Sequence, residues 1–195
     1  MVQILSGDGI HAGGRRLASV EYRGRVVVGW MTDGMRDTLA MLIDRFQVSS
    51  VIEVGSFLGL SACWFAEHVE EVTCVDVFDK DMLGSVMRSA MRSAPPETMD
   101  NMYDLFLANT AAYPNITSHK MPSLQAAAEL DVVADLVYID ADHTYEAVKA
   151  DVEAWTPHAR RVVCGDDNIY QWLSVQQLAQ EINADVTERI WWKPA

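Results

Sequence analysis

Residues 51–76 contain the feature that most constrains the fold of this chain. An almost wholly apolar run ends at Val54, as a buried strand would, and Gly55 and Gly59 follow in a short turn. Glycine lets the backbone turn sharply and approach a ligand where a Cβ would clash. A second apolar run then ends at Asp76, an acid placed to accept hydrogen bonds from ribose hydroxyls. The segment therefore predicts a strand, a turn, a helix and a strand that bind a nucleoside-bearing cofactor.

The spacing of this turn indicates which cofactor fits. A dinucleotide site usually carries G-x-G-x-x-G and packs a pyrophosphate against a helix N-terminus. This turn has the pattern E-x-G-x-x-x-G with the bulky Phe57 inside it, which argues against a pyrophosphate. Glu53 would repel phosphate but suits a cofactor that bears an ammonium and a sulfonium, and S-adenosylmethionine fits. In the alternative interpretation, Glu53 caps the helix and the glycines only pack strand against helix.

Length and charge limit the class of protein. The chain has 195 residues, which predicts a single domain over residues 1–195 with a sizeable core. A net charge of −13 would repel phosphate backbones, so nucleic-acid partners are disfavoured. We expect a small-molecule partner instead, and the sequence leaves a homodimer open.

The cellular compartment is predicted from the N-terminus and the cysteines. The first 8 residues have neither a basic start nor a long apolar run, and no later segment is long enough to span a bilayer. We therefore expect a cytoplasmic location and no membrane partner. Cys63, Cys74 and Cys164 lie on apolar elements without metal-like spacing, so we expect buried free thiols rather than disulfides or a zinc site.

Helix and strand signals alternate along the chain, as in a parallel sheet with crossover helices. Residues 1–30 are predicted to be a lead-in with a short hairpin at 17–30. The helical segment at 79–112 is interpreted either as crossover packing or as a roof over the substrate site. Predicted helices cover residues 37–46, 61–68, 81–91, 99–109, 145–155 and 173–182. Predicted strands cover 51–54, 72–75, 116–120, 136–139 and 161–164, with one or two closing strands at 186–192.

Polar residues follow the predicted strand ends, where ligands bind in parallel sheets. Residues 140–143 have the sequence D-A-D-H, and residues 165–168 have the sequence G-D-D-N. Two strand ends thus bring carboxylates and an amide together, which suits a hard divalent cation. In the alternative interpretation, Asp140 and Asp142 cap the following helix while residues 166–168 make a turn.

Three of these segments resemble one enzyme family. Residues 53–61, E-V-G-S-F-L-G-L-S, resemble the first motif of class I S-adenosylmethionine-dependent methyltransferases, in the form found in the cation-dependent catechol and caffeoyl-CoA O-methyltransferase group. Residues 140–143 and 165–168 are similar to the D-A-D-K and G-Y-D-N of that group. The resemblance covers residues 30–182. It implies an α/β, Rossmann-like, three-layer fold with a mostly parallel seven-stranded sheet and helices on both faces.

The resemblance also implies roles for individual residues. It places metal ligands at Asp140, Asp167 and Asn168, for Mg²⁺ or another divalent cation. Residues 30–32 are similar to the family segment that covers the cofactor, and Ser123 is implied near the adenine. The implied cofactor contacts are Met31, Thr32, Glu53, Gly55, Ser56, Phe57, Gly59, Ser61, Asp76, Ser123 and Asp140.

The metal motif departs from the family pattern at Asp166, where the family has an aromatic or alanine-like residue. Residues 106–109 and 142–146 are also similar to bacterial and phage methyltransferases of the macrocin and sugar-methylating type. Some of those enzymes use two consecutive aspartates as ligands. Asp166 is therefore a further candidate ligand, which would replace or join Asn168.

His143 is the second departure, because the family has lysine at this position. A lysine must be strongly perturbed to accept a proton near neutral pH, whereas an unperturbed histidine titrates near neutrality. His143 is thus the predicted general base, with Asp140 beside it as the second catalytic residue. The alternative is that His143 only caps or orients the helix at 145–155.

Together these features predict a methyltransferase that uses S-adenosylmethionine to methylate a small-molecule hydroxyl with metal assistance. Two alternatives stay open. Tyr145 and Lys149 match the Tyr-x-x-x-Lys of short-chain NAD(P)-dependent oxidoreductases, although the glycine pattern of those enzymes is missing. The other alternative is an S-adenosylmethionine-binding protein without catalysis.

Overall fold

A computed structural model describes residues 11–12, 15–16, 18–79, 81 and 100–195. The predicted helix at 81–91 lies outside the described residues except for its first position. Of the segment interpreted as a possible roof over the substrate site, residues 79–112, the structure describes residues 79, 81 and 100–112.

Eleven strands and six α-helices are present in the described part of the chain. The strands are β1 (His11–Ala12), β2 (Arg15–Arg16), β3 (Ala18–Tyr22), β4 (Arg25–Gly29), β5 (Ser50–Val54), β6 (Glu71–Asp76), β7 (Ile116–Lys120), β8 (Ala134–Ile139), β9 (Ala159–Gly165), β10 (Asp185–Thr187) and β11 (Ile190–Pro194). The α-helices are α1 (Asp33–Phe46), α2 (Leu60–Ala66), α3 (Met102–Thr110), α4 (Ser123–Glu129), α5 (Tyr145–Trp155) and α6 (Leu173–Glu181), and a 3₁₀ turn covers Thr156–His158.

Seven of the strands form one sheet in the order β10-β11-β9-β8-β5-β6-β7. Neighbouring strands from β9 to β7 are parallel, whereas β11 runs antiparallel to both β9 and β10. The chain leaves β5 in one direction through β6 and β7, then returns to the other side of β5 as β8. The strand order therefore reverses at β5, and in sheets of this kind ligands are expected outside the carboxyl ends of the strands at that point, here β5 and β8.

Helices cover both faces of this sheet, which confirms the predicted three-layer α/β fold. On one face, alternate strand residues such as Val51 and Leu136 join a buried cluster with α1, α2 and α3. On the other face, Ile52 and Val137 join a second cluster with α4, α5 and α6. Because both faces are buried, the central strands consist almost entirely of apolar residues.

The N-terminal hairpin and the helix after it show how local sequence sets local structure. Arg23 and Gly24 connect β3 and β4 with φ values of +47° and +83°, and the hairpin predicted at 17–30 is confirmed. Helix α1 begins before the predicted residue 37 because Thr32 caps it. The Thr32 Oγ1 accepts a hydrogen bond from the Met35 amide at 3.2 Å.

Other predicted elements are confirmed with shifts of a few residues at their ends, but α4 was not predicted. Its sequence, S-L-Q-A-A-A-E, is short and has little apolar periodicity, and only Ala126 is buried. No helix in the described ranges is both long and apolar enough to cross a bilayer.

Candidate functional site

The turn after β5 is held by the carboxylate of Asp76 at the end of β6. Oδ2 of Asp76 accepts hydrogen bonds from the amides of Ser56 at 2.9 Å and Phe57 at 2.8 Å. Its Oδ1 accepts a third, from the Phe78 amide at 2.7 Å. Burial raises the pKa of Asp76, and these three amides partly offset that effect. Asp76 thus fixes the turn, and its contact with a ribose stays a prediction.

The two glycines of the turn are required by protein packing. Gly55 has φ of +92°, and a Cβ there would lie 2.2 Å from the carbonyl oxygen of Asp140. Gly59 has φ of +88°, and its Cβ would lie 3.0 Å from the Thr110 side chain. The sequence-based interpretation assigned this space to a ligand. The structure assigns it to β8 and α3, because the turn packs directly on both.

Several buried polar atoms beside the turn have no hydrogen-bond partner among the described residues: Oε1 of Glu53, Oγ of Ser56, the Tyr138 hydroxyl and Nε1 of Trp30. Glu53 is fully buried, and burial raises its pKa to about 7, although the nearby Ser56, Ser61 and Cys74 side chains lower it in part. Unpaired buried polar groups are costly. Those on Glu53, Ser56 and Tyr138 therefore indicate a place for the polar atoms of a ligand.

The segment predicted to cover the cofactor lies next to the turn. The rings of Trp30 and Phe57 are 6.0 Å apart, so the end of β4 contacts the glycine turn. Met31 is 3% exposed and belongs to the core, whereas Thr32 is exposed and occupied as the cap of α1. The Phe57 backbone has φ of +47°, an unusual value for a bulky residue.

The predicted catalytic and metal residues meet at the ends of β8 and β9. Nε2 of His143 lies 2.8 Å from Oδ2 of Asp167 and 3.5 Å from Oδ1 of Asp140. One ligand atom from each of these three residues lies within 4.8 Å of the other two. The alternative that these acids cap α5 is not supported, because no side chain in the described ranges caps that helix and Asp142 Oδ1 instead accepts the Thr144 amide at 2.7 Å in the turn before it.

The other two predicted ligands lie outside this three-residue cluster. Asp166 is paired with Arg189, whose Nε donates to its Oδ1 at 2.6 Å. Burial and the charge of Asp140 together raise the pKa of Asp166 to about 7, although Arg189 opposes both effects. The backbone amide of Asn168 donates a hydrogen bond to the carbonyl oxygen of Arg189 at 2.9 Å. Asn168 as a metal ligand stays a prediction.

Arg189 was missed by the sequence interpretation, and it is central to the site. Its Nη2 donates to Oδ1 of Asp167, so one guanidinium contacts both consecutive aspartates. It comes from the turn between β10 and β11, about twenty residues after the motif that it completes. A lone arginine in a closing hairpin is not part of a recognisable motif. Only the strand order places Arg189 beside Asp166 and Asp167.

His143 is held from two further directions. Its ring stacks on Trp172, with centroids 4.6 Å apart and planes 22° apart. The Ser174 hydroxyl donates to its backbone carbonyl. His143 is therefore a partly buried side chain with contacts on several sides, and its role as general base stays a prediction.

Ser123, predicted near the adenine, takes part in a network at the start of α4. Its hydroxyl donates to Oδ1 of Asp151 at 2.5 Å and accepts from Nε1 of Trp155 at 2.9 Å. Asp151 and Trp155 are buried. This network joins α4 to α5, and the adenine contact stays a prediction.

A Rossmann-like sheet of this strand order, with an acid-anchored glycine turn and a polar cluster at the next strand ends, defines a class I methyltransferase. Residues 52–167 match the profile of a family described as a methyltransferase domain. The matched region is more than half of the chain, so the protein belongs to this family. It is therefore a methyltransferase of the class that depends on S-adenosylmethionine, as the sequence predicted. A comparison with curated proteins gave no significant match.

Solved structures share the fold at low sequence identity. A proposed caffeoyl-CoA O-methyltransferase from Staphylococcus aureus is 17% identical, with a TM-score of 0.60 over 85% of this chain and 84% of that one. An O-methyltransferase from Bacillus cereus in complex with SAH is 14% identical, with a TM-score of 0.56 over 85% and 83%. TomG, an O-methyltransferase of tomaymycin synthesis from Streptomyces achromogenes in complex with SAM, is 16% identical, with a TM-score of 0.52 over 79% and 70%.

Proposed function

We propose that this protein transfers a methyl group from S-adenosylmethionine to a hydroxyl of a small molecule. The observation that carries the proposal is the cluster of Asp140, His143 and Asp167 beside the glycine turn. An oxygen that accepts a methyl group must lose its proton, so a hydroxyl acceptor needs a group that promotes deprotonation. The cluster offers an imidazole and two carboxylates for this task. The solved structures of similar fold include several O-methyltransferases, which supports an oxygen acceptor.

The polar groups beside the turn fit S-adenosylmethionine. When bound, this cofactor supplies a methyl group activated by a sulfonium. Glu53 has a carboxylate oxygen without a partner among the described residues and would accept from the ammonium of the methionine portion. Ser56 and Tyr138 offer two further buried hydroxyls without a partner among the described residues. These residues would orient the cofactor, and holding it in line with the acceptor is itself a major source of rate enhancement.

A divalent cation also fits the cluster. Asp140, His143 and Asp167 would hold it, because their ligand atoms already converge. Two carboxylates and one imidazole suit Mn²⁺ or a similar first-row ion as well as Mg²⁺. When bound, such a cation would bind the acceptor hydroxyl and lower its pKa. His143 thus takes the third ligand position that the sequence interpretation gave to Asn168 or Asp166.

His143 can also act on the acceptor without a cation. Two carboxylate oxygens face its Nε2, so a neutral imidazole would keep its proton on that nitrogen. Nδ1 is then the atom that accepts a proton from the acceptor hydroxyl. Asp167 would stabilise the resulting imidazolium, as a carboxylate does behind a catalytic histidine.

The two alternative functions are weighed against the same geometry. The oxidoreductase alternative is disfavoured by membership of the methyltransferase family. In addition, the Tyr145 hydroxyl donates to Glu181 on α6 at 2.6 Å. A binding protein without catalysis would keep the cofactor site, but it would have no need of the His143 cluster. A cytoplasmic location, a homodimer and the lack of nucleic-acid or membrane partners stay predictions.

Two measurements test the proposal. Added S-adenosylmethionine should raise the Tm and added NAD should not, since a ligand that binds only the folded state stabilises it. Incubation with methyl-labelled S-adenosylmethionine and a library of phenols, catechols and sugars should then transfer label to oxygen. A Tm that responds to NAD alone would contradict the proposal. Cofactor binding without transfer to any hydroxyl in the library would favour the non-catalytic alternative.

A further inference from the structure

Arg189 contacts three consecutive residues of the loop after β9. Its side chain donates to Asp166 through Nε and to Asp167 through Nη2. Its carbonyl oxygen accepts the amide of Asn168 at 2.9 Å. Asp166 and Asp167 are 4% and 5% exposed, so this guanidinium is a counter-charge for two buried carboxylates. Removing one partner of such a buried pair is strongly unfavourable.

The loop that Arg189 contacts has an unusual backbone. Asp167 has φ of +63°, in the left-handed region that residues with a Cβ seldom adopt. Such a conformation persists when surrounding contacts determine it, and it is frequent at functional sites. Arg189 contacts Asp166, Asp167 and Asn168 in turn. These contacts are suited to holding the Asp167 backbone in this conformation.

The same contacts set the direction of the Asp167 carboxylate. Oδ1 of Asp167 accepts from Arg189, while Oδ2 lies 2.8 Å from Nε2 of His143. Because each oxygen has a different partner, rotation of the carboxylate would break both interactions. We propose that Arg189 is a positioning residue, which orients Asp167 toward His143 and so sets the geometry of the catalytic cluster. The catalytic consequence of this role for Arg189 rests on the proposed methyl transfer.

The hairpin that carries Arg189 is itself anchored on both sides. The neighbouring Glu188 side chain lies 3.3 Å from the position that a Cβ on Gly34 would take, in the first turn of α1. An acid is favourable at a helix N-terminus. On the other side, Trp191 of β11 pairs with Gly165, the last residue before the loop. The turn between β10 and β11 therefore delivers Arg189 to the loop from a fixed position.

Orientation can be separated from simple charge neutralisation. A lysine supplies the same charge as a compact ammonium, but it lacks the planar fork that contacts two carboxylates at once. If Arg189 orients Asp167 through that fork, Arg189→Lys should disturb the contact between Asp167 and His143 as Arg189→Met does. If charge alone were needed, Arg189→Lys should behave like the wild-type protein.

Side-chain ¹H–¹⁵N NMR of the histidines tests this directly and needs no methyl acceptor. In the wild-type protein we expect a protected Nε2 proton from His143, assigned by its loss in His143→Gln. The signal should be lost or strongly shifted in both Arg189 variants. Arg161→Met is the matched control, because Arg161 pairs with Asp135 through Nε at 3.0 Å at the opposite end of the strands. The Arg161→Met variant should have a lower free energy of unfolding than the wild-type protein and an unchanged His143 Nε2 proton signal.

Three outcomes would overturn the proposal: no protected signal in the wild-type protein, an unchanged signal in folded Arg189→Met, or full recovery in Arg189→Lys. The lysine variant keeps the test decisive if the methionine variant does not fold. Once an acceptor is identified, kcat should fall by about tenfold or more in both variants with the cofactor Kd unchanged. Failure to find an acceptor would count against the proposed function and leave the NMR result intact.

Discussion

Gly55 lies so close to Asp140 that a Cβ on the glycine would stand 2.2 Å from the Asp140 carbonyl oxygen. The glycine turn and the first residue of the Asp140–His143–Asp167 cluster are thus in direct backbone contact. Asp140 is also held by a hydrogen bond from its amide to the Val54 carbonyl at 2.8 Å. The position of the glycine turn, which is proposed to bind the cofactor, and that of the Asp140 carboxylate therefore depend on each other.

Gly55→Ala should lower the free energy of unfolding by roughly 2–4 kcal/mol, because it adds a backbone clash to the cost of a positive φ. Gly24→Ala is the matched control. Gly24 has a similar φ of +83°, but its Cβ would meet nothing within 4 Å, so it should cost about 1 kcal/mol. Urea unfolding measures both, and equal losses would contradict the packing role.

His143→Ala should lower kcat by roughly 10²–10⁴ and leave the cofactor Kd intact, because His143 is proposed to act on the acceptor hydroxyl and is not among the residues proposed to hold the cofactor. If His143 is the base, the acidic limb of the pH profile should disappear as well. His68→Ala serves as the control, since His68 stacks on Trp64 with centroids 4.1 Å apart. Near-normal kcat with the same acidic limb would assign deprotonation to a cation or to solvent.

Asp167→Asn should abolish metal-stimulated turnover and weaken Mn²⁺ binding by more than about tenfold, because it removes a formal charge from the cluster. Asparagine tolerates a positive φ, so the backbone at this position should be kept. Asp142→Asn is the control, since Asp142 is exposed and its side chain accepts a hydrogen bond from the Thr144 amide. Calorimetry with Mn²⁺ and assays in excess EDTA measure the effect. Full wild-type activity in EDTA would show that His143 works without a cation.

Glu53→Gln should change how stability depends on pH in the absence of cofactor. Burial raises the pKa of Glu53 from 4.5 to about 7, so the folded state holds this proton more tightly than the unfolded chain. The resulting stabilisation is fully present below pH 4.5 and is lost as the pH rises through about 7. Relative to wild type, the variant should gain on the order of 3 kcal/mol between pH 4.5 and pH 8. Parallel pH curves for the two proteins, measured by urea unfolding, would contradict the buried carboxylate.

Much of the fold was predictable because its signals are local. The strands β5, β6 and β8 are largely buried on both faces, so they form mostly apolar runs that are visible in the sequence. The helix α5 was predicted with its observed ends, since its apolar residues recur at helical spacing. The helix α4 was not predicted, because alanines and polar residues dominate its sequence. Its helical conformation is determined by packing against neighbouring elements.

The sequence by itself determined the glycine turn, the acid at the next strand end and the identity of the catalytic candidates. Their chemistry follows from residue type and spacing, which do not depend on distant parts of the chain. Tertiary structure alone decided that His143 faces Asp167, that Gly55 packs on Asp140, and that Arg189 pairs with both aspartates. Each of these relationships joins residues in loops that follow different strands. Such contacts arise only when the sheet brings together segments that are far apart in the chain, and no local pattern encodes them.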